Sequence, residues 1–348
     1  MAVASRKQRW LTTIILLGFL LVGVMVVSAA TGPAQIAAMD VAKMLLQRLP
    51  GFSRQEWGSW PAAHTVIIFQ VRLPRIVLAA LVGGGLAMAG ATYQGLLQNS
   101  MADPYVIGVS AGASVGATLG ILLRGKFIFF GLSTVTLMAF AGAVLATFLV
   151  YNIARVGGRV PVATLLLAGI AVSSLLSAVV SFLLVLSSQS MHEIVYWMMG
   201  SLSGRSWAHV KVSLPYLATG GVVVLFYSRE LNLMLLGDEA AQNLGVNVEA
   251  VKRVLLTAGS LMAAAAVSVS GVIGFVGLII PHIVRLLTGP DHRILLPTTA
   301  LTGAIFLVAA DTLARTILAP AELPVGIITA LAGAPFFLYL LRRQQDKR

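Results

Sequence analysis

The chain has no cysteine and few charged residues, and each shortage excludes a class of protein. Because its 348 residues include no cysteine, it can have no disulfide framework, thiolate metal site or cysteine nucleophile. Charged residues make up 10% of the chain, whereas soluble domains have about 25%. Hydrophobic residues make up 58%. This composition cannot cover a water-facing surface, so we expect lipid to surround most of the protein.

Motifs for nucleotides and metals are also missing. The sequence has no GxxxxGK[ST] motif, so it cannot bind ATP through a P-loop of its own. No group of His, Asp and Glu has the spacing of metal ligands. The net charge of +12 comes from basic residues between apolar runs, a pattern typical of membrane topology rather than nucleic-acid binding. We therefore expect no catalytic site, bound metal, cofactor or nucleic acid.

Long apolar runs dominate what is present. A helix needs about 20 apolar residues to cross a membrane. Candidate spans are residues 10–30, 76–97, 105–123, 130–152, 161–187, 210–228, 253–270, 272–287, 294–313 and 323–341. The seventh and eighth divide one run, 254–284, which as a single helix would be about 46 Å long; Gly271, Gly274, Gly277 and Pro281 supply the break. The sequence predicts one all-α polytopic bundle, residues 1–348, with about ten transmembrane helices.

Basic residues at the chain ends indicate orientation. The clusters lie before the first span and after the last one: Arg6, Lys7, Arg9, Arg342, Arg343, Lys347 and Arg348. Positive charge favours the cytoplasmic side, so we place both termini in the cytoplasm and the chain in a bacterial or archaeal inner membrane. The first apolar run, 11–27, exceeds the core of a signal peptide, which has about 7–15 residues. It is interpreted as an uncleaved helix.

Two polar segments stand out between the spans. Residues 31–75 form a predicted periplasmic segment, with an amphipathic surface helix at 33–49 between Pro33 and Pro50. Residues 229–253 form a cytoplasmic loop in which Asp238 and Glu239 fit the first turn of a short helix and Gly245 its end. Asn247 would cap a second short helix running into the next span. Two short helices indicate a docking platform; an ordinary loop is the alternative.

Three arginines lie at the predicted outer mouth of the bundle. Arg72 and Arg75 occur in Arg-Leu-Pro-Arg before the second span, and Arg315 follows the ninth span, beyond Asp311. Long basic side chains near a span end can extend to lipid headgroups. The alternative is a fixed cationic face that pairs with acidic groups of a partner, where bidentate pairing favours arginine over lysine.

Gly108–Gly112 matches the GxSxG pattern of a nucleophile elbow at Ser110. An elbow requires a strand before the serine and a helix after it. Here the pattern lies in an apolar run of small residues, with no paired acid visible. An intramembrane hydrolase using Ser110 and His282 is therefore a disfavoured alternative, and the glycines are better explained by close helix packing.

Taken together, ordered blocks along nearly the whole chain resemble the FecCD family of ABC-importer permeases, which serve iron-siderophores, haem and cobalamin. The blocks are Arg72–Arg75, Gly90 to Asn99 through Gln94, Ala102–Pro104 with Gly108–Ala113, Leu244–Val246, Gly274–His282, Asp291–Arg293, Ala310–Asp311, Glu322–Gly326 and Gly333–Phe336. One departure is visible. The family usually has Asn-Pro-Leu-Ala-Asp/Glu-Pro where this chain has Asn99-Ser-Met-Ala-Asp-Pro104.

The resemblance implies ten BtuC-like helices per subunit, a homodimer around one pathway, two cytoplasmic ATPase subunits that bind ATP and magnesium, and a periplasmic or lipid-anchored binding protein. It implies that Arg72, Arg75 and Arg315 dock the binding protein. The ATPase would contact the coupling segment Leu236, Gly237, Asp238, Glu239, Ala240, Ala241, Leu244 and Gly245. Helix breaks for gating would lie at Asn99, Asp103, Pro104, Gly274, Gly277 and Pro281.

The expected cargo is an iron chelate, siderophore or haem, with cobalamin as the alternative. The rival of another class is an ion-coupled secondary transporter. Such transporters carry buried acids or histidines for the coupling ion. Asp311 is the one acid assigned to a span here, near its end, which favours the importer.

Overall fold

The computed structural model describes residues 2–32, 34, 36–48, 60–123, 128–129, 132–157 and 159–345. Within these ranges the chain is a bundle of helices. Extended pairing in the described ranges is limited to a short antiparallel pair, β1 Ile128–Phe129 with β2 Leu132–Ser133, and a bridge between Val156 and Arg159. The predicted all-α membrane fold is confirmed.

Fifteen α-helices occur in the described ranges. They are α1 Ala2–Ala30, α2 Ala38–Gln47, α3 Ala62–Val66, α4 Leu73–Leu96, α5 Val109–Leu122, α6 Thr134–Ala154, α7 Val162–Leu186, α8 Met191–Met198, α9 Trp207–Phe226, α10 Ser228–Met234, α11 Asp238–Asn243, α12 Val248–Ser270, α13 Val276–Thr288, α14 His292–Ala314 and α15 Val325–Gln345. A π-helical segment, Ile67–Arg72, joins α3 to α4, and 3₁₀ turns occupy Pro104–Ile107 and Ser188–Ser190.

Seven helical segments of the described chain are long and apolar enough to cross a membrane. They are Lys7–Ala30, Ala62–Leu96, Thr134–Ala154, Val162–Leu186, Trp207–Phe226, Val248–Ser270 and His292–Ala314. Three further apolar helices are shorter: Val109–Leu122, Val276–Thr288 and Val325–Tyr339. The ten predicted spans correspond to these ten segments, but a crossing by each of the three short helices remains a prediction.

The predicted division of the run 254–284 is present. Helix α12 ends at Ser270 and α13 begins at Val276. Between them, Gly271 and Phe275 have positive φ angles of 70° and 68°. The predicted contribution of Gly277 and Pro281 to the break is wrong, because both lie inside α13. A Cβ at Gly277 would lie 2.7 Å from the Pro104 ring, so this glycine permits close packing instead.

Helix α4 and its antiparallel neighbour α14 pack with almost no side chain between them. A Cβ built on Gly84 would lie 3.0 Å from the Ala300 carbonyl oxygen, and one on Gly303 would lie 2.5 Å from the Ala87 Cβ. Small residues allow such approach where no hydrophobic effect separates helix from lipid. By contrast, only 11% of the most apolar stretch of α1 is buried. The α4–α14 pair therefore forms the central unit that joins the two polar ends of the bundle.

The two polar ends of the bundle carry different features. The arginine end comprises residues 28–32, 72–75 and 311–322, and the platform end comprises residues 95–103, 228–252 and 289–293. The predicted surface helix is represented by α2, with Val41 and Met44 buried. Pro33 and Pro50, predicted to flank it, lie outside the described residues, as do Lys347 and Arg348.

Candidate functional site

Arg72 caps the end of helix α1. Its Nη1 donates to the carbonyl oxygens of Ala29 at 2.6 Å and Ala30 at 3.1 Å, and its Nη2 donates to the carbonyl oxygen of Ala34 at 2.6 Å. The last carbonyls of a helix have no partner within the helix and carry partial negative charge. A buried guanidinium there satisfies them and fixes α1 against the start of α4.

Arg75 joins two carboxylates through two edges of its guanidinium. Nε lies 2.9 and 3.1 Å from the two oxygens of Asp311, and Nη2 lies 2.9 Å from one of them. Nη1 lies 2.9 and 3.1 Å from the two oxygens of Glu322. Burial raises the pKa of the Glu322 carboxyl, but the charge and hydrogen bonds of Arg75 outweigh burial, so its pKa lies below its ordinary value. Glu322 is therefore ionised at neutral pH.

Arg315 completes the cluster from the end of α14. Its Nη2 donates to the carbonyl oxygen of Ser28 and, at 2.9 Å, to the Ser28 hydroxyl. Burial lowers the pKa of Arg315 to about 10, with the charges of Arg72 and Arg75 adding to that effect and Asp311 opposing it. At neutral pH Arg315 is still a cation.

The structure brings Arg72, Arg75 and Arg315 together in one cluster, and in the isolated chain all three guanidinium groups are buried. The three residues are only 5%, 8% and 5% exposed. The physical reason is that each guanidinium finds acceptors within the chain, and burying an arginine without such partners would be costly. Extension to lipid headgroups is excluded by the same contacts.

The platform end carries the predicted coupling segment on and beside the short helix α11, which follows α10. Helix α11 begins at Asp238, as predicted, with Gly237 at a φ of 102° before it and Gly245 at 86° after it. Leu236 and Leu244, at either side of α11, are 66% and 59% exposed. Of the other coupling residues, Ala240 and Ala241 lie within α11, as does Glu239 in its first turn, and Ala241 is buried.

The expected position of the second short helix needs correction. Asn247 accepts a hydrogen bond from the Ala250 N–H at 3.1 Å, as predicted for a cap, but the helix it starts is α12 itself. The second short helix is α10, which precedes α11. Asp238 forms a salt bridge with Lys252 of α12, which holds α11 against the bundle. The exposed leucines thus lie on a positioned surface.

A contact that the sequence did not reveal links the platform to α14. The Asn232 amide on α10 donates to Asp291 at 2.8 Å, and its oxygen accepts the His292 N–H at 2.8 Å. Asp291 also pairs with Arg293 at 2.8 Å. Hydrogen bonds from Arg293, and then from Asn232, lower the pKa of Asp291. Asp291 before a span could have been identified as an N-cap, but Asn232 gave no signal.

The two predicted helix breaks contact each other. The Tyr105 hydroxyl donates to the Ile273 carbonyl at 3.0 Å, beside Gly274 in the break between α12 and α13. Asp103 caps the 3₁₀ turn that starts at Pro104 by accepting the Tyr105 N–H at 2.8 Å. Burial raises the pKa of Asp103 to about 6, although that hydrogen bond opposes the rise. Asn99 similarly accepts the Met101 N–H at 2.9 Å.

Ser110 does not occupy a nucleophile elbow. In the described range 60–123, the segment before it is the 3₁₀ turn Pro104–Ile107 rather than a strand, and Ser110 lies in the first turn of α5. Gly108, with a φ of 84°, forms the junction between these elements. The GxSxG pattern is therefore a helix start.

Comparison with known proteins agrees with this architecture. Residues 19–343 match the model of the FecCD transport family. The chain is 48% identical to the cobalamin import system permease protein BtuC of Halobacterium salinarum, covering 94% of this chain and 95% of the relative. It is 39% identical to the hemin transport system permease protein HmuU of Yersinia pestis, covering 96% and 97%.

A solved structure supports the same assignment. A metal-chelate type ABC transporter, captured in an inward-facing conformation, superposes with a TM-score of 0.81 at 32% identity. The match covers 95% of this chain and 98% of that one. With the family model extending over nearly all of the described bundle, the chain belongs to the FecCD transport family.

Proposed function

We propose that this chain is the pore-forming permease subunit of an ATP-driven importer. Two copies would enclose one translocation pathway in a cell inner membrane, with both termini cytoplasmic. Two cytoplasmic ATPase subunits would supply ATP and magnesium binding, and a periplasmic or lipid-anchored binding protein would deliver the cargo. Family membership and the permease names of its relatives support this proposal.

The observation that carries the proposal is the platform at one end of the bundle. Leu236 and Leu244 are largely exposed although α11 itself is fixed through Asp238 and Lys252. Exposed leucines on a rigid polar surface are typical of a site that a second protein covers. Because the chain has no P-loop of its own, an ATPase is the partner that this surface fits.

The opposite end is proposed to receive the binding protein. It gathers the cations Arg72, Arg75 and Arg315 around the acids Asp311 and Glu322. Net positive charge at the mouth of a pathway steers acidic partners. In the proposed orientation, residues 31–75 form the periplasmic segment and residues 229–253 the cytoplasmic coupling loop. The 1–348 chain would act as one domain.

The paired helix breaks are proposed to be the moving parts. Asn99, Asp103 and Pro104 lie in one break, and Gly274 lies in the other. Gly277 and Pro281 follow within α13. Irregular backbone within a membrane bundle is tolerated where protein or a water-filled cavity satisfies it. Movement of the platform would change the contact between these breaks and open the pathway toward one side.

The proposed cargo is an iron chelate, either a siderophore complex or haem. Relatives named for hemin and for Fe(3+)-citrate import, each 39% identical, support it. A second cargo, a corrinoid, is favoured by the 48% identity with the cobalamin permease. The choice between them is an experimental one, because specificity would reside mainly in the binding protein.

Uptake by the complex reconstituted in liposomes tests the proposal. The chain is combined with its ATPase and binding protein, and accumulation of ferric siderophores, haem and cobalamin is measured with ATP. We expect uptake of one cargo class that stops with an ATPase variant unable to hydrolyse ATP. Uptake by the chain alone, driven by a proton or sodium gradient, would instead establish a secondary transporter.

A platform variant tests the coupling role separately. Leu244→Asp should reduce ATP-driven uptake and binding of the ATPase, because it places an unpaired charge in an apolar contact. Leu287→Asp is the matched control, since Leu287 is 80% exposed near the same end but outside the platform. If both variants transport equally well, the ATPase contacts another surface.

A further inference from the structure

We propose that, in the free permease, Glu322 occupies the Nη1 edge of Arg75, and that a carboxylate of the binding protein replaces Glu322 there during docking. This inference rests on the proposed docking function of the arginine end. It makes Glu322 an internal competitor that weakens capture of the binding protein and releases Arg75 only to an acidic partner.

The two carboxylates on Arg75 differ in accessibility. The Asp311 side chain is 1% exposed, whereas the Glu322 side chain is 34% exposed. Asp311 takes Nε and Nη2, and Glu322 takes the remaining Nη1. A protein that approaches from solvent can therefore reach the Nη1 edge without disturbing the buried pair.

The energetics of the two pairs point the same way. Breaking a buried pair by removing one partner costs about 3–5 kcal/mol, because a desolvated charge is left alone. A solvent-exposed pair contributes only about 0–1 kcal/mol, and the Arg75–Glu322 pair is nearer to that case because the Glu322 side chain is 34% exposed. Exchange of Glu322 for another carboxylate keeps the charge on Arg75 paired throughout. Asp311 is thus the permanent partner and Glu322 the exchangeable one.

The charges around Glu322 favour an acidic replacement. Arg75 and Arg315 both lower the Glu322 pKa by their charge, and a Ser203 hydrogen bond contributes as well. Three arginines face two acids in the cluster, and in the described chain the buried Nε of Arg315 has no acceptor. When Glu322 leaves, the excess positive charge rises from one to two, which attracts a carboxylate and repels a basic surface.

The loop around Glu322 is positioned so that the carboxylate can leave while the loop stays. The next residue, Leu323, donates its N–H to the Ala314 carbonyl at 3.0 Å, and Val325 is buried at the start of α15. The backbone on the C-terminal side of Glu322 is thus fixed independently of its side chain. Rotation of that side chain requires no unfolding of the end.

The alternative is that Glu322 only stabilises the contact between its loop and α4. The two roles predict opposite changes in affinity for the binding protein when Glu322 is neutralised. If Glu322 is a competitor, Glu322→Gln removes the competing charge and capture becomes tighter. If it is a stabilising contact, the same substitution destabilises the arginine end and capture of the binding protein becomes weaker. Glu322→Asp retains the charge and should bind like the wild type or slightly more tightly, because its shorter reach weakens the pair.

The experiment measures the dissociation constant between the permease–ATPase complex in lipid nanodiscs and the binding protein that supports uptake in the reconstituted system. For Glu322→Gln we expect binding about two- to fivefold tighter, the effect of one partly exposed ion pair, with a steeper dependence on salt. Glu193→Gln removes the same charge from an exposed site on α8 and should change affinity less, because the carboxylates paired with Arg75 are those of Asp311 and Glu322 and exposed charges are screened by salt.

Three results would overturn the inference. The first is a Glu322→Gln protein that stays folded but binds no more tightly than wild type. The second is loss of the fold in that variant, since Glu322 would then be a stabilising contact. A wild-type complex that transports its cargo without measurable capture at the arginine end would also remove the inference, while leaving the importer function intact. Absence of ATP-driven uptake is the separate result that rejects the proposed function.

Discussion

The two ends of the α4–α14 pair are built from different interactions. At the arginine end, Arg75 and Asp311 are buried charges that satisfy each other inside the chain. At the platform end, the Asn232 amide joins α10 to the Asp291 carboxylate and the His292 N–H of α14, and Leu236 remains exposed. The first end is closed on itself, and the second presents surface for another protein. One rigid helix pair thus carries a fixed polar cluster at one end and a docking surface at the other.

The largest expected difference between the ends is in the cost of losing one acid. Asp311→Asn leaves Arg75 buried with only Glu322, and we expect a loss of about 3 kcal/mol in the free energy of unfolding, the lower part of the range for broken buried pairs. Asp238→Asn removes the partner of Lys252 at the platform end, where Asp238 is 44% exposed. The Lys252 side chain is itself only 8% exposed, but solvent reaches the pair from the Asp238 side and the lysine stem is flexible, so we expect a smaller loss there, about 1 kcal/mol. Denaturant unfolding in one detergent compares them; equal losses would contradict the distinction.

The helix pair that joins the ends should tolerate no added bulk. Gly303→Leu forces side-chain atoms against Ala87 and the Gly83 backbone, and we expect a loss of about 1–3 kcal/mol from overpacking. Gly18→Leu on α1 is the control, because a Cβ there meets nothing within 4 Å. Thermal unfolding of both variants measures the effect. A stable Gly303→Leu protein would mean that α4 and α14 separate easily.

The amide link at the platform end should affect coupling more than stability. Asn232→Ala leaves the contacts to Asp291 and His292 unmade, and we expect a loss of about 1–2 kcal/mol together with less uptake per ATP hydrolysed. Asn152→Ala is the control, because the Asn152 amide donates to the Phe148 carbonyl of its own helix at 2.7 Å, a contact that joins no second helix. If the ratio of uptake to hydrolysis is the same in both variants, α10 does not transmit movement to α14.

The smallest effect concerns pH at Asp103 in the platform end. Its pKa is raised to about 6 by burial, so the folded protein keeps this proton to a higher pH than the unfolded chain does. The stability from this proton is fully present below pH 4 and is lost as pH rises through about 6. Between pH 5 and pH 7 the loss should be about 1 kcal/mol, given about 1.4 kcal/mol per pKa unit. Asp103→Asn should remove this slope in unfolding experiments; an unchanged slope would assign it to another group.

Local sequence signals predicted the parts of the fold that depend on nearby residues. The run 254–284 exceeds a membrane crossing, and the chain does divide there between Ser270 and Val276. Asp238 at a helix start and Asn247 as a cap were likewise predicted from short-range rules. Such features need only the chemistry of a few consecutive residues.

The sequence identified residues of the candidate sites but not the contacts that those residues make. Arg72, Arg75 and Arg315 were identified from their places beside spans, but their burial was not. Their acceptors come from Ser28, Ala29, Ala34, Asp311 and Glu322, residues separated by up to 287 positions in the chain. Asn232 and Asp291 meet across 59 positions. No local pattern encodes such pairs, because they depend on how whole helices pack.

Composition and hydrophobic run length by themselves determined that this chain is a lipid-embedded helix bundle, because solvent preference is a sum over residues. Tertiary structure alone decided which charges are exposed. Close packing of α4 against α14 brings Asp311 to Arg75, and the loop after α14 brings Glu322 to the free edge of that arginine. Whether a guanidinium is a surface charge or a buried tie depends on which acceptors the fold places beside it.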